Sequence, residues 1–449
     1  MTQVASPQAN SQAATGVQRA LLRAWLAVMA FLYHVPHTIA LRNVLLVLAI
    51  ALVALGWRRW PRPSLPETLR ASAWVLVALT AWIALQAVLF SPTTWYALGR
   101  LRGDWLMHAV GGFTAAFIAV RVRPPNALRP VVFALALAVA LVLLHQARLW
   151  ATSGTWTLRT MPYAQLDFQS TVHGMLAALV IADRASLVVR GQSPLALGVR
   201  TGWVLCAFVL GTDVLLQARN GTLVLLALLL VAIGLVFRLR AGGRQRLYIL
   251  GAAALAAGLV ALASWHTDQR WSRIAESYAI GWTSDSTCWQ HYVQSNCPST
   301  PSGADLEESA YSRAAWAREA LRAIADRPLG LGFGHEAFGR AVQQRYGIVG
   351  WGSSHSGWLD FTLAVGVPGL ALLLAAGALA MRGGWRQFRA QDDGMGLIFS
   401  FFVGGYLLRC LLDGHLSGWR LGMFAFICGI IIASMNLRRE PQEASGLLR

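Results

Sequence analysis

The sequence has no lysine, few acids and little charge of any kind. Charged residues are 13% of the 449, against about 25% in ordinary soluble domains. All 38 basic side chains are therefore arginine, set against 20 acids for a formal net charge of +18. C-x-x-C and H-E-x-x-H motifs are missing, as is any clustered outward pair of aspartates, so neither a metal site nor a cofactor is expected. The elbow sequence of a serine nucleophile is absent, and the densest glycine turn follows no strand, which excludes a Rossmann or P-loop reading. The first apolar run lacks an A-x-A-like site, so no cleavable leader is expected. The positive charge is spread along the chain rather than gathered on one soluble face, which argues against nucleic acid as a partner.

What the chain has instead is apolar length. Hydrophobic residues make up 56% and the mean hydropathy is +0.50. Runs long enough for the roughly 20 residues of a helical span fall at about 20–35, 38–57, 71–90, 103–122, 128–150, 170–190, 200–217, 221–239, 246–264, 356–381, 395–412 and 419–437. The first is short and carries Arg23. The runs are continuous rather than alternating, which predicts an all-α polytopic membrane protein of about twelve transmembrane helices and not a barrel. Arginines cluster after every even-numbered span, as at Arg58, Arg59, Arg62 and Arg70, or Arg238, Arg240, Arg244 and Arg246. The positive-inside rule then places both termini in the cytoplasm. The expected organisation is a tail at 1–19, spans one to nine over 20–264, an outward loop domain at 265–354, spans ten to twelve over 355–437, and a second tail at 438–449.

The long outward loop holds the soluble-looking part of the chain. Cys288 and Cys297 lie in it, and on an oxidising side they are expected to form a disulfide, two free thiols being the alternative. Cys206, Cys410 and Cys428 fall within spans as buried thiols. Asp305 and Glu308 have the spacing of an N-cap and its reciprocal partner, opening a helix that Arg327-Pro328 stops. On that helix Ala310, Ala314, Ala317, Leu321 and Ile324 form an apolar stripe, with Arg313 at its edge and Arg318 and Arg322 turned toward the opposite face. A second outward loop, about 148–169, carries Arg148, Arg159 and Asp167.

Four features rise above this background. Gln217-Ala218-Arg219-Asn220-Gly221 interrupts two apolar runs at the outward membrane boundary, where a charge is either functional or a snorkelling interfacial arginine. Arg313 is either aimed at a partner surface or ion-paired with Glu308 or Asp305. The turn Pro328-Leu329-Gly330-Leu331-Gly332-Phe333-Gly334 offers backbone N–H groups to an anion, although a plain helix–helix turn explains it more simply. Ser353-Ser354-His355-Ser356, with Asp360 beyond it and Gly366-Val367-Pro368-Gly369 breaking the span, puts a titrating histidine at an aqueous entrance. An interfacial histidine bonded to a carbonyl is the competing reading. His335 is a rival within the same loop, and His173 reads as structural. Arginines with few acids suit a phosphate or diphosphate ligand.

Taken together and in this order, these features resemble the O-antigen ligase family, whose relatives include O-antigen polymerases and bacterial protein O-oligosaccharyltransferases. The resemblance covers span six to span ten and rests on Gln217-Ala218-Arg219, the Ser309, Arg313 and Trp316 stretch, the Pro328 to Gly334 turn, and His355 followed by Leu359 and the Gly366 to Gly369 break. Ala218 stands where the family usually has Ser, and Ser356 where it commonly has Asn. The resemblance implies a GT-C-like glycosyltransferase of the inner membrane with its site on the periplasmic face. Its donor would be a glycan on undecaprenyl pyrophosphate and its acceptor lipid A–core oligosaccharide, joined without a metal and with inversion. His355 would be the base, and Arg219, Arg313 and Arg159 would bind the diphosphate. A polymerase, a protein glycosylase and an anion or lipid transporter are the alternatives.

Overall fold

The computed structural model describes residues 15–58, 60–122, 126–154, 166–239, 243–284, 288–290, 297–301, 303, 305–334 and 336–436. Among them every regular element is helical: α1 Thr15–His34, α2 Ile39–Gly56, α3 Arg70–Leu89, α4 Thr94–Arg100, α5 Met107–Val122, α6 Leu128–Ser153, α7 Leu166–Arg190, α8 Val199–Leu216, α9 Arg219–Leu239, α10 Gly243–Thr267, α11 Ile274–Thr283, α12 Glu308–Asp326, α13 Ala337–Tyr346, α14 Gly357–Gln391, α15 Gly394–Leu412 and α16 Gly418–Asn436. Ten helical stretches among the described residues are long and apolar enough to cross a membrane. The chain is an all-helical polytopic membrane protein. The other two expected spans, 20–35 and 246–264, are the helices α1 and α10. Arg19 and Arg23 lie in α1, and α10 carries an apolar stretch at Ala254–His266 among the described residues. Helix α1 nevertheless packs on α6 and α16 through buried Leu22, Leu26, Met29 and Ala30.

The fourth span is longer than its hydropathy suggests. One continuous helical path, Thr94–Val122, runs through α4, a π-helical turn at Leu101–Leu106 and α5. Such turns widen a helix locally and recur at functional sites. Here the π turn carries Asp104, paired with Arg100 at 2.7 Å.

Two apolar cores organise the molecule. One fills the bundle of α1, α5, α6, α7, α9, α15 and α16. The other joins α3 and α4 to the loop region through Ile83, Trp289, Trp316, Phe333, Phe338 and Phe361. The loop helices α11 and α12 pair with each other, and α12 also rests on α14. Helix α12 begins two residues from the expected cap. Glu307, not Asp305, is its N-cap, and the Glu307 carboxylate accepts from Ala310 N at 2.7 Å.

Helix α14 spans 35 residues, about 52 Å at 1.5 Å per residue, and it is broken where the sequence has Gly366 and Pro368. Pro368 cannot donate to the preceding turn, and Gly366 takes φ +76°. Val367 N would ordinarily bond Leu363 O, four residues back. Instead Val367 N donates to Pro328 O at 2.8 Å, and Leu331 N donates to Leu363 O at 2.7 Å. The glycine turn and the helix break therefore complete each other's backbone hydrogen bonds. Gln86 of α3 donates to Leu329 O at 2.8 Å and Trp82 to Val365 O at 2.7 Å, which ties the join to a neighbouring span. Gly330 N and Leu331 N of the turn are bonded within the protein, to Arg327 O and Leu363 O, and the turn acts as a structural clasp.

Candidate active site

His355 stands immediately before α14 in a left-handed conformation, φ +57°. Asp360, on the first turn of α14, shapes the approach by accepting from Ser353 Oγ at 2.7 Å and Ser354 N at 2.9 Å. Ser353 Oγ in turn accepts from His355 N at 2.9 Å. Ser356 is the N-cap of α14, its side chain accepting from Leu359 N. Asn and Ser are comparably good N-caps, so Ser356 keeps the local geometry that Asn would give.

The imidazole stacks on Trp316 of α12, with ring centroids 5.1 Å apart and planes 20° from parallel. His355 Nδ1 faces Asp413 Oδ1 at 3.9 Å, while 45% of the side chain remains exposed. That separation is ion-pair range, and a small ring rotation closes it to a hydrogen bond of the kind that tightens when a substrate binds. With Nδ1 turned to a carboxylate, Nε2 is the nitrogen left to take a proton.

Asp413 follows the last residue of α15, and the sequence reading did not single it out. Burial would raise its pKa. The His355 ring, Arg409, His415 and Arg313 together outweigh burial and hold its carboxyl well below the usual carboxylate range. The carboxylate stays charged beside His355 and favours the imidazolium that proton abstraction creates. His415, two residues on, is buried; burial first, then Arg409, push its imidazole well below the ordinary histidine range. The signal was available in the sequence, because Asp413-Gly414-His415 lies in the short turn between two apolar spans. An acid and a histidine at such a boundary merit the same suspicion as Arg219.

The structure brings Arg313 to this group. Its Nη1 donates to Leu412 O at 3.0 Å, and Asn220, the second residue of α9, donates to the same carbonyl at 2.9 Å. Arg313 thus packs inward from the edge of the α12 stripe. Arg219 is placed differently. Its guanidinium is 13% exposed and bonds Glu307 at 2.7 Å, with Asp268 at 3.8 Å and Arg270 bridging Asp268 at 2.6 Å. It locks α9 to the N-terminus of α12. Arg318 corrects an expectation: it is not solvated but 11% exposed, bonding Glu319 and donating to Trp282 O and Ser284 O. Arg322 is 45% exposed and pairs with Glu319 at 2.9 Å. Arg159 and His335 lie outside the described residues. His173 is buried, bonded to Val209 O at 2.8 Å with Asp213 3.7 Å away, as a structural histidine would be.

A cavity of about 230 Å³ opens beside His355. Asp104, Glu336, Asp360, Asp413 and Arg420 supply its charged lining, and neither Arg219 nor Arg313 reaches it. Cys288 and Cys297 are joined, with Cα atoms 5.1 Å apart. Their loop presents Trp289 against Trp351, which meets Trp316 beneath His355. Among the described residues no group of three His, Cys, Asp or Glu side chains is placed to hold a metal ion.

The fold and site define a multi-pass helical membrane protein with a histidine–aspartate pair and an arginine gathered at one end of its spans. Residues 195–374 match the family model described as O-antigen ligase, so this part of the chain is similar to the O-antigen ligase domain. Arg219, Arg313 and His355 lie within the match, whereas Arg409, Asp413 and His415 lie beyond it. No curated protein matches the chain. The family supports glycosyl transfer between lipid-based substrates in a membrane.

Proposed function

We propose that the protein is an O-antigen ligase, transferring a glycan from undecaprenyl pyrophosphate to lipid A–core oligosaccharide on the periplasmic face of the inner membrane, with residues 265–354 on that face. The observation that carries this reading is the meeting of His355, Asp413 and Arg313 from three separate segments, at the end of the bundle where the loop packs. Diphosphate is already a good leaving group. The reaction therefore needs a base for the acceptor hydroxyl and cation density for the departing oxygens. His355 Nε2 takes the hydroxyl proton, Asp413 orients and stabilises the ring, and the acceptor oxygen displaces diphosphate with inversion. Arg313 makes the primary diphosphate contact. Arg219 joins it only by releasing Glu307, and Arg159 is retained as a contact from the second outward loop.

The test is transfer in vitro with purified lipid-linked donor and lipid A–core acceptor. A positioned base contributes about 10²–10⁴-fold, so His355→Ala should leave faint transfer and near-normal donor binding. Wild-type transfer by His355→Ala would refute the assignment of the base. Extension of a second lipid-linked glycan in preference to lipid A–core would make the protein a polymerase.

A further inference from the structure

Arg409 lies one turn before the end of α15, buried within a membrane span, with its side chain 6% exposed. An arginine at such depth is costly unless its charge and donors are met. Arg409 Nη2 donates to Asp413 Oδ2 at 3.1 Å and to Ser170 Oγ, and Nε reaches His415 Nε2 at 3.4 Å. Thr171 Oγ1 lies 2.5 Å from the same His415 nitrogen, and Tyr406 donates to His415 O. Adjacent residues of α7 thus brace both Arg409 and the turn that carries Asp413. On the other side, the Asp413 carbonyl accepts from Gly357 N at 3.0 Å, at the start of the helix that His355 precedes.

We propose that Arg409 is a positioning residue for the transfer reaction, setting the carboxylate of Asp413 against the ring of His355. The proposal rests on the reading of His355 as the base. Arg409 has no place in the lining of the cavity beside His355, so it acts through Asp413 rather than on a substrate. Its guanidinium takes one carboxylate oxygen, Oδ2, and leaves the other, Oδ1, which also accepts from Gly414 N at 3.1 Å, facing the histidine. Without that hold the carboxylate rotates, and the imidazole loses its fixed orientation on Trp316. Misplacement of a reacting group by about 1 Å costs on the order of 10²-fold in rate.

The experiment uses the full chain in lipid nanodiscs, with purified lipid-linked donor and lipid A–core acceptor, comparing Arg409→Gln, Arg409→Lys, Asp413→Asn and the double variant Arg409→Gln with Asp413→Asn. Arg409→Gln should lower kcat on the order of 10²-fold with KM for the donor unchanged. Arg409→Lys should recover part of the loss, since it keeps the charge beside Asp413. The double variant should be no worse than Asp413→Asn, because residues acting in one chain are not additive. Losses that multiply, or a raised donor KM at unchanged kcat, would overturn the inference. If Arg409→Gln does not fold, Ser170→Ala removes one brace and keeps the charge. It should lower kcat at constant KM and add nothing to Asp413→Asn, and wild-type kcat there would equally overturn the proposal. Wild-type transfer by His355→Ala refutes the parent reading, whereas an inactive His355→Ala alongside a fully active Arg409→Gln refutes this inference alone.

Discussion

Replacing Gly330 by alanine tests the clasp that joins the glycine turn to the broken span. Gly330 has φ +91°, and a Cβ there would lie 2.6 Å from Gly366 N and 3.0 Å from Ala364 O. The backbone conformation alone costs about 1–3 kcal/mol for a residue with a side chain. The clash is with backbone rather than a flexible side-chain tip, so relief requires the turn and α14 to separate, a further 1–3 kcal/mol or so by the usual cost of overpacking. Separation also weakens the Leu331 N to Leu363 O and Val367 N to Pro328 O bonds, buried groups that nothing else in the turn replaces. Gly347→Ala is the control, since Gly347 has φ +71° but a Cβ added to it would meet nothing within 4 Å; it should cost only about 1–2 kcal/mol. Thermal unfolding in detergent, followed by tryptophan fluorescence, should rank wild type above Gly347→Ala and Gly347→Ala well above Gly330→Ala. Transfer should fall with Gly330→Ala, because Phe333 and Gly334 line the cavity beside His355. Equal midpoints for the two variants would refute the clasp.

Arg313→Lys should reduce transfer severely because the planar fork is lost, whereas Arg322→Ala, which breaks a half-exposed pair, should stay within about threefold of wild type, exposed pairs contributing about 0–1 kcal/mol; equal damage in the two would discredit the placement of Arg313. Arg318 is unsuited as a control, being held by Trp282 O and Ser284 O. Cys288→Ser should lower the unfolding midpoint, the short loop contributing about 2–3 kcal/mol at best, and should leave transfer measurable; peptide mapping that finds two free thiols in membranes prepared without reductant would remove the bridge. Because the Asp413 pKa is depressed in the folded protein, its stabilising contribution is complete above the unfolded value of about 3.9 and is lost only as pH falls through the lower folded value. The midpoint difference between wild type and Asp413→Asn should therefore not shrink between pH 8 and pH 5, and a difference that fades on acidification within that range would contradict the assignment.

Apolar run length made the spans legible, because a bilayer demands about 20 residues wherever a helix crosses. It failed where a span contains charge. Arg100, Arg102 and Asp104 hid the first turns of Thr94–Val122, which the π turn and the Arg100 to Asp104 pair make tolerable. Helical phase placed Arg313 correctly toward the packed side of α12, yet misjudged Arg318, because phase alone does not show that the end of α11 lies against that face. Local capping patterns were short by two residues, since Glu307 also has Arg219 to satisfy and Asp305 does not. Ala218 immediately precedes α9, where a serine would cap the helix; its 8% exposure places it in a small apolar cluster with Val142 and Leu216 instead. The Asp413, Arg409 and His415 group was the largest omission. Its members are ordinary when taken singly, and only the packing of α15 on α7 shows that they support a histidine some sixty positions earlier.

The distribution of charge around His355 bears on how two lipid-linked substrates are told apart. Arg313 approaches Leu412 O from α12, on the side where Arg219 and Asn220 begin α9. The cavity on the ring's other contacts is lined by Asp104, Glu336, Asp360 and Asp413, against a single Arg420. Asp104 and Asp413 are already paired with Arg100 and Arg409, so the wall is rich in acceptors rather than strongly anionic, and its carboxylate oxygens suit hydroxyl groups. On the proposed reading the donor's anionic head is therefore turned to the Arg313 side, while a sugar hydroxyl is the group suited to the cavity. His355 stands between them on Trp316, with one nitrogen held toward Asp413 and the other open. A base so placed meets the nucleophile before the leaving group. On the proposed reading that order is what a direct displacement requires.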